Sequence, residues 1–283
     1  MKTNIRIIVS AIILSAFISL PLQATAGERM DKSTTGDSGG MTKMDKTMAS
    51  RNDAENTVVK ATQVFKTATE IPSTVIKNAA GIAIFPGMIR AALIAGGSHG
   101  NGVMLAKQDD GQWSPPLFVS LSGGSLGAQV GVESSDVILV FQNRAALDKV
   151  ATGKEFTLGV DASVSAGDAG ANTSASTETA QILTYKRSSG LFAGASLTGS
   201  VLKIEQEPTM AYYNLTQNTE KSARGYYGGE LGLYNRIIGS SAGTKAESGM
   251  ASGKQHARAV KKIPDSARDL QQAIGDYASK SNQ

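Results

Sequence analysis

Between Gly81 and Asn214 glycine interrupts apolar, β-prone runs at almost every turn, and that punctuation argues for short strands in an antiparallel sheet rather than a parallel α/β fold. The runs open with GIAIFP (Gly81 to Pro86) and continue through GGSHGNG (Gly96 to Gly102) and GQWSPP (Gly111 to Pro116). LSGGSLGAQVGVESSDVILV (Leu121 to Val140) and GLFAGASLTGSV (Gly190 to Val201) follow. Strands are expected near 82–85, 89–96, 102–107, 117–122, 126–132, 136–141, 156–165, 180–187 and 191–204, with a turn at Asp109-Asp110-Gly111. One helix interrupts them, capped by Asn143, with Ala146, Leu147 and Val150 on its apolar side and Gly153 at its end. The polar stretch 166–179 reads as a long exposed hairpin loop, and a helix near 208–223 follows the last strand. Many short strands without alternating long helices point to an α+β fold. Its centre is a curled antiparallel β-sheet, or a partly closed barrel or sandwich of about eight strands, with flanking helices.

The ends of the chain divide by composition. Lys2 and Arg6 precede an apolar run from Ile7 to Leu20, and Ala24 and Ala26 supply the small residues a signal peptidase reads, so residues 1–26 are expected to be a secretory signal peptide. A membrane anchor is the rival, but the run falls short of the roughly 20 residues a spanning helix needs. Residues 27–50 hold no aromatic or β-branched aliphatic side chain and are expected to be a disordered lead-in. The folded body is expected over 51–235, a low-complexity linker over 236–262 and an amphipathic helix over 263–283. Asn52 and Glu55 have capping-box spacing. Ala54, Val58, Ala61 and Phe65 recur at helical spacing, and Pro72 is expected to stop that helix at Ile71 and start a second one running to Gly81. In the last helix, Ala267, Leu270, Ile274 and Tyr277 form a narrow stripe that either docks on the domain's own sheet or meets a partner or membrane.

Composition narrows the chemistry. The chain has no cysteine, so an exported form has neither disulfides nor thiolate chemistry and must rely on its core. The net charge of +4 becomes +2 once Lys2 and Arg6 leave with the leader, and no concentrated basic stripe suggests a nucleic-acid partner. Thirty-one glycines and 18% charged residues, against averages of about 7% and 25%, suit a sheet with many tight turns.

Candidate catalytic groups are sparse. His99 and His256 lie in different zones and read as solvated loop residues, and a zinc site needs three or four clustered ligands. No GxSxG elbow occurs. Glu133 and Asp136 flank Ser134-Ser135 at an expected hairpin turn, where carboxylates are ordinary turn formers. Gly96 to Gly102 lacks the lysine and the following helix of a phosphate loop, so a hairpin turn is expected there instead. Gly123, Gly124 and Gly127 sit inside a strand pair, where they either relieve crowding or open a ligand slot. Met30, Met41, Met44 and Met48 are too loosely spaced for a dedicated copper tract. Trp113, beside Pro115 and Pro116, is expected at a structural corner. No enzyme activity, cofactor or metal is expected.

The order and spacing of the GIAIFP, GGSHGNG, GQWSPP, LSGGSLGAQVGVESSDVILV and GLFAGASLTGSV blocks resemble the SYLF domain over roughly half the chain. The usual Tyr-Gly pair at that domain's end is replaced by Tyr212-Tyr213-Asn214, with Tyr227-Gly228 further on. The resemblance implies lipid binding in bacterial members and phosphoinositide and actin binding in eukaryotic ones, with the region before GIAIFP engaging lipid. On the residues alone, the first helix carries Lys60 and Lys66 off its apolar stripe, followed by Lys77 and Arg90. These four are the candidate lipid-binding residues, since cations beside an apolar helix face suit an anionic interface, although the same helix could simply pack on the sheet. The expected function is an exported, non-enzymatic lipid-binding module, periplasmic and peripherally membrane-associated, with anionic phospholipid as partner. The alternative is a structural or interaction protein of the envelope that holds a protein partner through its sheet or C-terminal helix.

Overall fold

The computed structural model describes residues 43–92, 95–126, 131–152, 155–167, 181–188, 190–215 and 263–280. The expected leader, the lead-in up to residue 42 and the 236–262 linker lie outside these residues. The centre is a curled, mixed half-barrel sheet of nine strands, eight of them in the order β5-β9-β3-β2-β1-β4-β7-β6 and β8 pairing onto β7. The strands are β1 (Gly81–Ala92), β2 (Ala95–Ala106), β3 (Leu117–Leu126), β4 (Gly131–Phe141), β5 (Phe156–Thr157), β6 (Val164–Ala166), β7 (Ile182–Arg187), β8 (Phe192–Gly194) and β9 (Val201–Ile204). Every pairing is antiparallel except β6 with β7, where Val164 lies opposite Ile182. Two parallel strands cannot be joined by a tight hairpin. The expectation of a simple hairpin loop over 166–179 is therefore wrong, although most of that stretch falls outside the described residues.

Glycine misled the reading of β1, β2 and β4. Residues 82–85 and 89–96 were expected as separate strands, yet β1 runs unbroken to Ala92, with the register shifting near Pro86 and Gly87. The Gly96 to Gly102 tract is the middle of β2, not a turn, because these glycines let neighbours come close. A Cβ at Gly102 would fall on the Ile84 carbonyl oxygen, and one at Gly100 would lie 2.9 Å from Met88. Ser134 and Ser135 are likewise inside β4, and Glu133 and Asp136 face β7. The turn at Asp109-Asp110-Gly111 forms as expected. Gly111 takes φ 81° and the Asp110 carboxylate accepts the Gln112 N–H at 2.9 Å.

Cross-strand partners share a face, so the registers sort the side chains. One face carries Ile82, Ile84, Val103, Leu105, Phe118 and Ile138, and two helices, α1 (Lys43–Lys66) and α4 (Gln206–Tyr212), pack on it, while α5 (Asp265–Ser279) lies against helices. The other face carries Ala83, Phe85, Met104, Val119, Leu121 and Leu139, and it meets α3 (Arg144–Thr152) through Leu147, which lies over Gly81. Near this end of the sheet consecutive strand residues are buried on both faces, as in Ile82 to Phe85 and Val137 to Phe141.

The helices follow from local chemistry with shifted ends. α1 begins at Lys43, so residues 43–50 of the supposed lead-in are helical and Asn52 lies inside the helix. No glycine or proline breaks Lys43 to Ser50, and the apolar stripe further on supplies the docking that propagates the turn upstream. The helix ends at Lys66 rather than Ile71, where the Thr67 hydroxyl donates back to the Val64 carbonyl at 2.9 Å and competes with the ladder. α2 (Ser73–Asn78) follows Pro72. The α3 cap forms as expected, with the Ala146 N–H donating to Asn143 Oδ1 at 3.0 Å.

The last helix, α5, docks on α1 and α2 instead of the sheet. Ala267, Leu270 and Ile274 are buried, Tyr277 packs edge-on against Phe65 at 5.5 Å, and the Tyr277 hydroxyl donates to the Ile71 carbonyl at 2.5 Å. At the other end of α5, Tyr212 of α4 and Ser266 share a buried hydroxyl hydrogen bond of 2.6 Å. Trp113 is buried at its corner, and its carbonyl accepts from Gln271 at 2.5 Å.

Candidate functional site

α1 presents two unlike sides. Ala54, Val58, Ala61 and Phe65 line its buried stripe, sealed by α4, α5 and the sheet. At 3.6 residues per turn, Lys60 and Lys66 lie roughly 120° to either side of that stripe. Both are exposed, and between them the outer surface carries Asn56, Val59 and Gln63. The apolar stripe is a packing surface, and the cations stand on its two shoulders.

The other two candidate residues lie elsewhere. Lys77 is exposed on α2; its carbonyl accepts Lys107 Nζ at 2.6 Å, and the Lys107 carbonyl accepts Arg144 Nη1 at 3.1 Å. That chain of contacts gathers three cations at the buried end of the sheet, with Asp148 paired to Arg144 at 3.3 Å. Arg90 sits in β1 on the face away from α1, opposite Ser98 of β2 and Glu133 of β4. Lys60 and Lys66 thus share one helix, whereas Arg90 belongs to a different surface.

The two β4 carboxylates are structural partners of β7. Glu133 receives Lys186 Nζ at 2.9 Å; the hydrogen bonds from Lys186 and then Ser188 hold its carboxyl below the ordinary value despite some desolvation. Asp136, on the helix face, accepts both Nη2 and Nε of Arg187 at 2.6 and 3.0 Å and also the Gly87 N–H at 2.9 Å. Arg187 in turn reaches the Thr67 hydroxyl at 2.5 Å and lies 4.9 Å over the Phe192 ring, tying α1 to the sheet.

One pair escaped the sequence reading. His99 Nδ1 lies 2.8 Å from Ser122 Oγ, because β2 and β3 place these residues opposite each other. Only the strand register could have revealed it, since 22 residues separate the two in sequence. It is not a hydrolytic triad. Among the described residues no carboxylate hydrogen-bonds to His99, and the nearby Ser120 is engaged with Glu205 at 2.6 Å. No group of three or more His, Asp or Glu side chains among the described residues could hold a metal. No described helix is long and apolar enough to cross a membrane.

The glycine-rich end of the four central strands is the remaining distinctive surface. Its helix-side face carries Ile89, Ala91, Gly97, His99, Gly124, Val132 and Ser134, mostly exposed, with Val132 at 77%. Its other face carries a polar row across four strands, formed by Gly123, Ser98, Arg90 and Glu133.

The curled half-barrel with helices on one face can be set beside known proteins. Residues 122–222 match the Ysc84 family model, described as "Las17-binding protein actin regulator". The LAS seventeen-binding protein 3 of Saccharomyces cerevisiae is 34% identical over 160 residues, covering 55% of this chain and 35% of that protein. Protein YSC84 of the same yeast is 36% identical over 160 residues, covering 34% of its length. The mouse SH3 domain-containing YSC84-like protein 1 is 34% identical over 146 residues, 50% of this chain and 43% of that protein. Over these residues the chain is thus similar to the Ysc84, or SYLF, family. It spans between a third and a half of the length of these relatives, the first of which is named as a binding protein, as the family model is described as a binding protein and actin regulator.

Proposed function

We propose that the chain is an exported, non-enzymatic lipid-binding protein that associates peripherally with anionic phospholipid at the periplasmic side of the cell envelope. The observation that carries this reading is the outer side of α1. Lys60 and Lys66 are both exposed and make no ion pair among the described residues, on a helix held rigid by its sealed apolar stripe. With the stripe in the core, attraction is electrostatic and does not depend on insertion. Each lysine contributes about 1 kcal/mol near an anionic surface, fading as salt shortens the screening length. Lys77 and Arg90 add charge from other parts of the domain.

Flotation with anionic vesicles tests it. Replacing Lys60 and Lys66 together by glutamate weakens association more than tenfold, with the sheet intact by circular dichroism and no comparable loss with neutral vesicles. Binding by the double variant equal to the wild type, or indifferent to salt, refutes this surface. The second reading, an envelope interaction protein, draws on the relatives named for binding Las17 and on the exposed, uncharged sheet face around Ile89 and Val132. Retained partner capture by the lysine double variant, lost on substituting Val132, would favour it.

A further inference from the structure

α5 is held by helices and by backbone carbonyls rather than by the sheet. No strand pairs with it, its main contacts are with α1 and α2, and in chain order it is the last described element. It can therefore leave its seat without breaking a ladder hydrogen bond. Its apolar grip is the narrow stripe of Ala267, Leu270 and Ile274, closed at one end by Tyr277 standing edge-on to Phe65. The polar anchors are Ser266 to the Tyr212 hydroxyl at 2.6 Å, Gln271 to the Trp113 carbonyl at 2.5 Å, and the Tyr277 hydroxyl to the Thr69 and Ile71 carbonyls at 3.2 and 2.5 Å. Water can replace each of these, so their net hold is modest.

Three features weaken the seat. Gly275 lies inside α5, where glycine disfavours a helix, and a Cβ there would meet nothing within 4 Å, so packing does not require it. Pro264 stands at the N-cap and offers no capping side chain. Glu70, between the two carbonyls that receive Tyr277, keeps Oε2 buried with no hydrogen-bond partner among the described residues, and a carboxylate oxygen held that way opposes closure. Beneath α5 lies Phe65, on the stripe whose two shoulders carry the exposed Lys60 and Lys66.

We propose that α5 is a lid that lifts from α1 while the sheet stays folded, and that the seat it uncovers, centred on Phe65, takes the acyl region of an anionic bilayer. Closed, α1 offers only its cationic shoulders. Open, it has an apolar face between flanking lysines, the make-up of a helix that lies in an anionic interface, so the charges choose the surface that meets the seat. Lifting also returns the Glu70 oxygen to water. The bilayer as occupant rests on the reading given above, whereas the lid does not.

Hydrogen exchange of the full chain, free of vesicles, tests the lid. Amides from Leu270 to Tyr277 should exchange at least about tenfold faster than those of Ile82 to Phe85, as local opening requires. Gly275→Ala, which adds a methyl into open space, should slow the α5 amides about threefold. Leu270→Asp should speed them while leaving the β1 amides unchanged, and it should stay on phosphatidylglycerol vesicles in high salt that releases the wild type, because insertion is not screened. Tyr277→Phe keeps the ring but removes the bonds to Thr69 and Ile71; it should give the same two shifts more weakly and guards against a folding defect in Leu270→Asp. Exchange of α5 only together with β1, or flotation of both variants as salt-sensitive as the wild type, overturns the proposal. Lysine-dependent flotation beside an α5 that opens only with the core sinks the lid alone. Fast α5 opening and salt-resistant variants beside flotation indifferent to Lys60 and Lys66 sink the electrostatic surface alone.

Discussion

The four central strands, β1 to β4, are two different materials along their length. From Ile82 to Phe85, Val103 to Ala106, Leu117 to Leu121 and Val137 to Phe141, every side chain is buried and both faces are covered. From Gly87 to Ala91, Gly96 to Asn101, Ser122 to Gly124 and Gly131 to Ser135, the same strands turn to glycine, serine and exposed apolar residues. Hydrogen bonding is continuous through both halves, so the ladder itself does not mark the change. What changes is what the side chains have to bury. Stability is concentrated in the first half, and the second is a backbone platform on which the polar row and the His99–Ser122 pair are displayed.

The sharpest way to break that contrast is a matched pair of truncations. Phe85→Ala, fully buried beside Gly102, should destabilise by about 3 to 5 kcal/mol, whereas Val132→Ala should stay within about 0.5 kcal/mol in chemical denaturation. Comparable losses at both sites would mean the glycine-rich half is core. Glycines give a smaller version of the test. Gly102→Ala forces a methyl onto the Ile84 carbonyl oxygen and should cost about 1 to 3 kcal/mol. Gly124→Ala meets nothing within 4 Å, and its melting temperature should hold or rise, since glycine inside a strand is worth about 0.5 to 1 kcal/mol less than alanine.

The smallest effect is a pH signature carried by tyrosines outside the central strands. Burial pushes the Tyr212 hydroxyl up to about 12, against a partial opposing contribution from its bond to Ser266, and burial also raises Tyr213 and Tyr277. A folded-state value above the unfolded one favours the neutral phenol. The stabilisation is therefore complete below about pH 10 and disappears as pH rises through about 12. Tyr212→Phe should cost about 1 kcal/mol at neutral pH through the lost hydrogen bond while making the alkaline decline shallower. Denaturant midpoints measured from pH 8 to pH 12 show whether the two curves converge.

The helices and the class of the fold were legible in the sequence because their signals are local. Asn143 stands three residues before the amide it caps, and Ala54, Val58, Ala61 and Phe65 repeat at the spacing of one helix face. The glycines were harder, since glycine serves both turns and close approaches. Gly111 and Gly199 take positive φ and do turn the chain, whereas the glycines of the GGSHGNG tract take none and lie inside a strand. Ser134-Ser135 failed for a related reason, since the Lys186 and Arg187 partners that hold Glu133 and Asp136 in a strand lie about fifty residues away. The placement of the candidate cations was legible only in part. Lys60 and Lys66 follow from helical periodicity, whereas the separation of Arg90 onto the other face needs the β1 register, and a shift at Pro86-Gly87 lies within it.

The hydroxyl of Tyr277 rests on carbonyls just past the end of α1, more than two hundred residues earlier in the chain. The timing of synthesis gives that contact a meaning. A nascent chain can assemble α1, α2 and the central hairpins early, but Phe65 and the end of α1 stay uncovered until α5 has been made. Folding of the complete core thus waits for α5, and a chain halted before Ser266 leaves that helix face open.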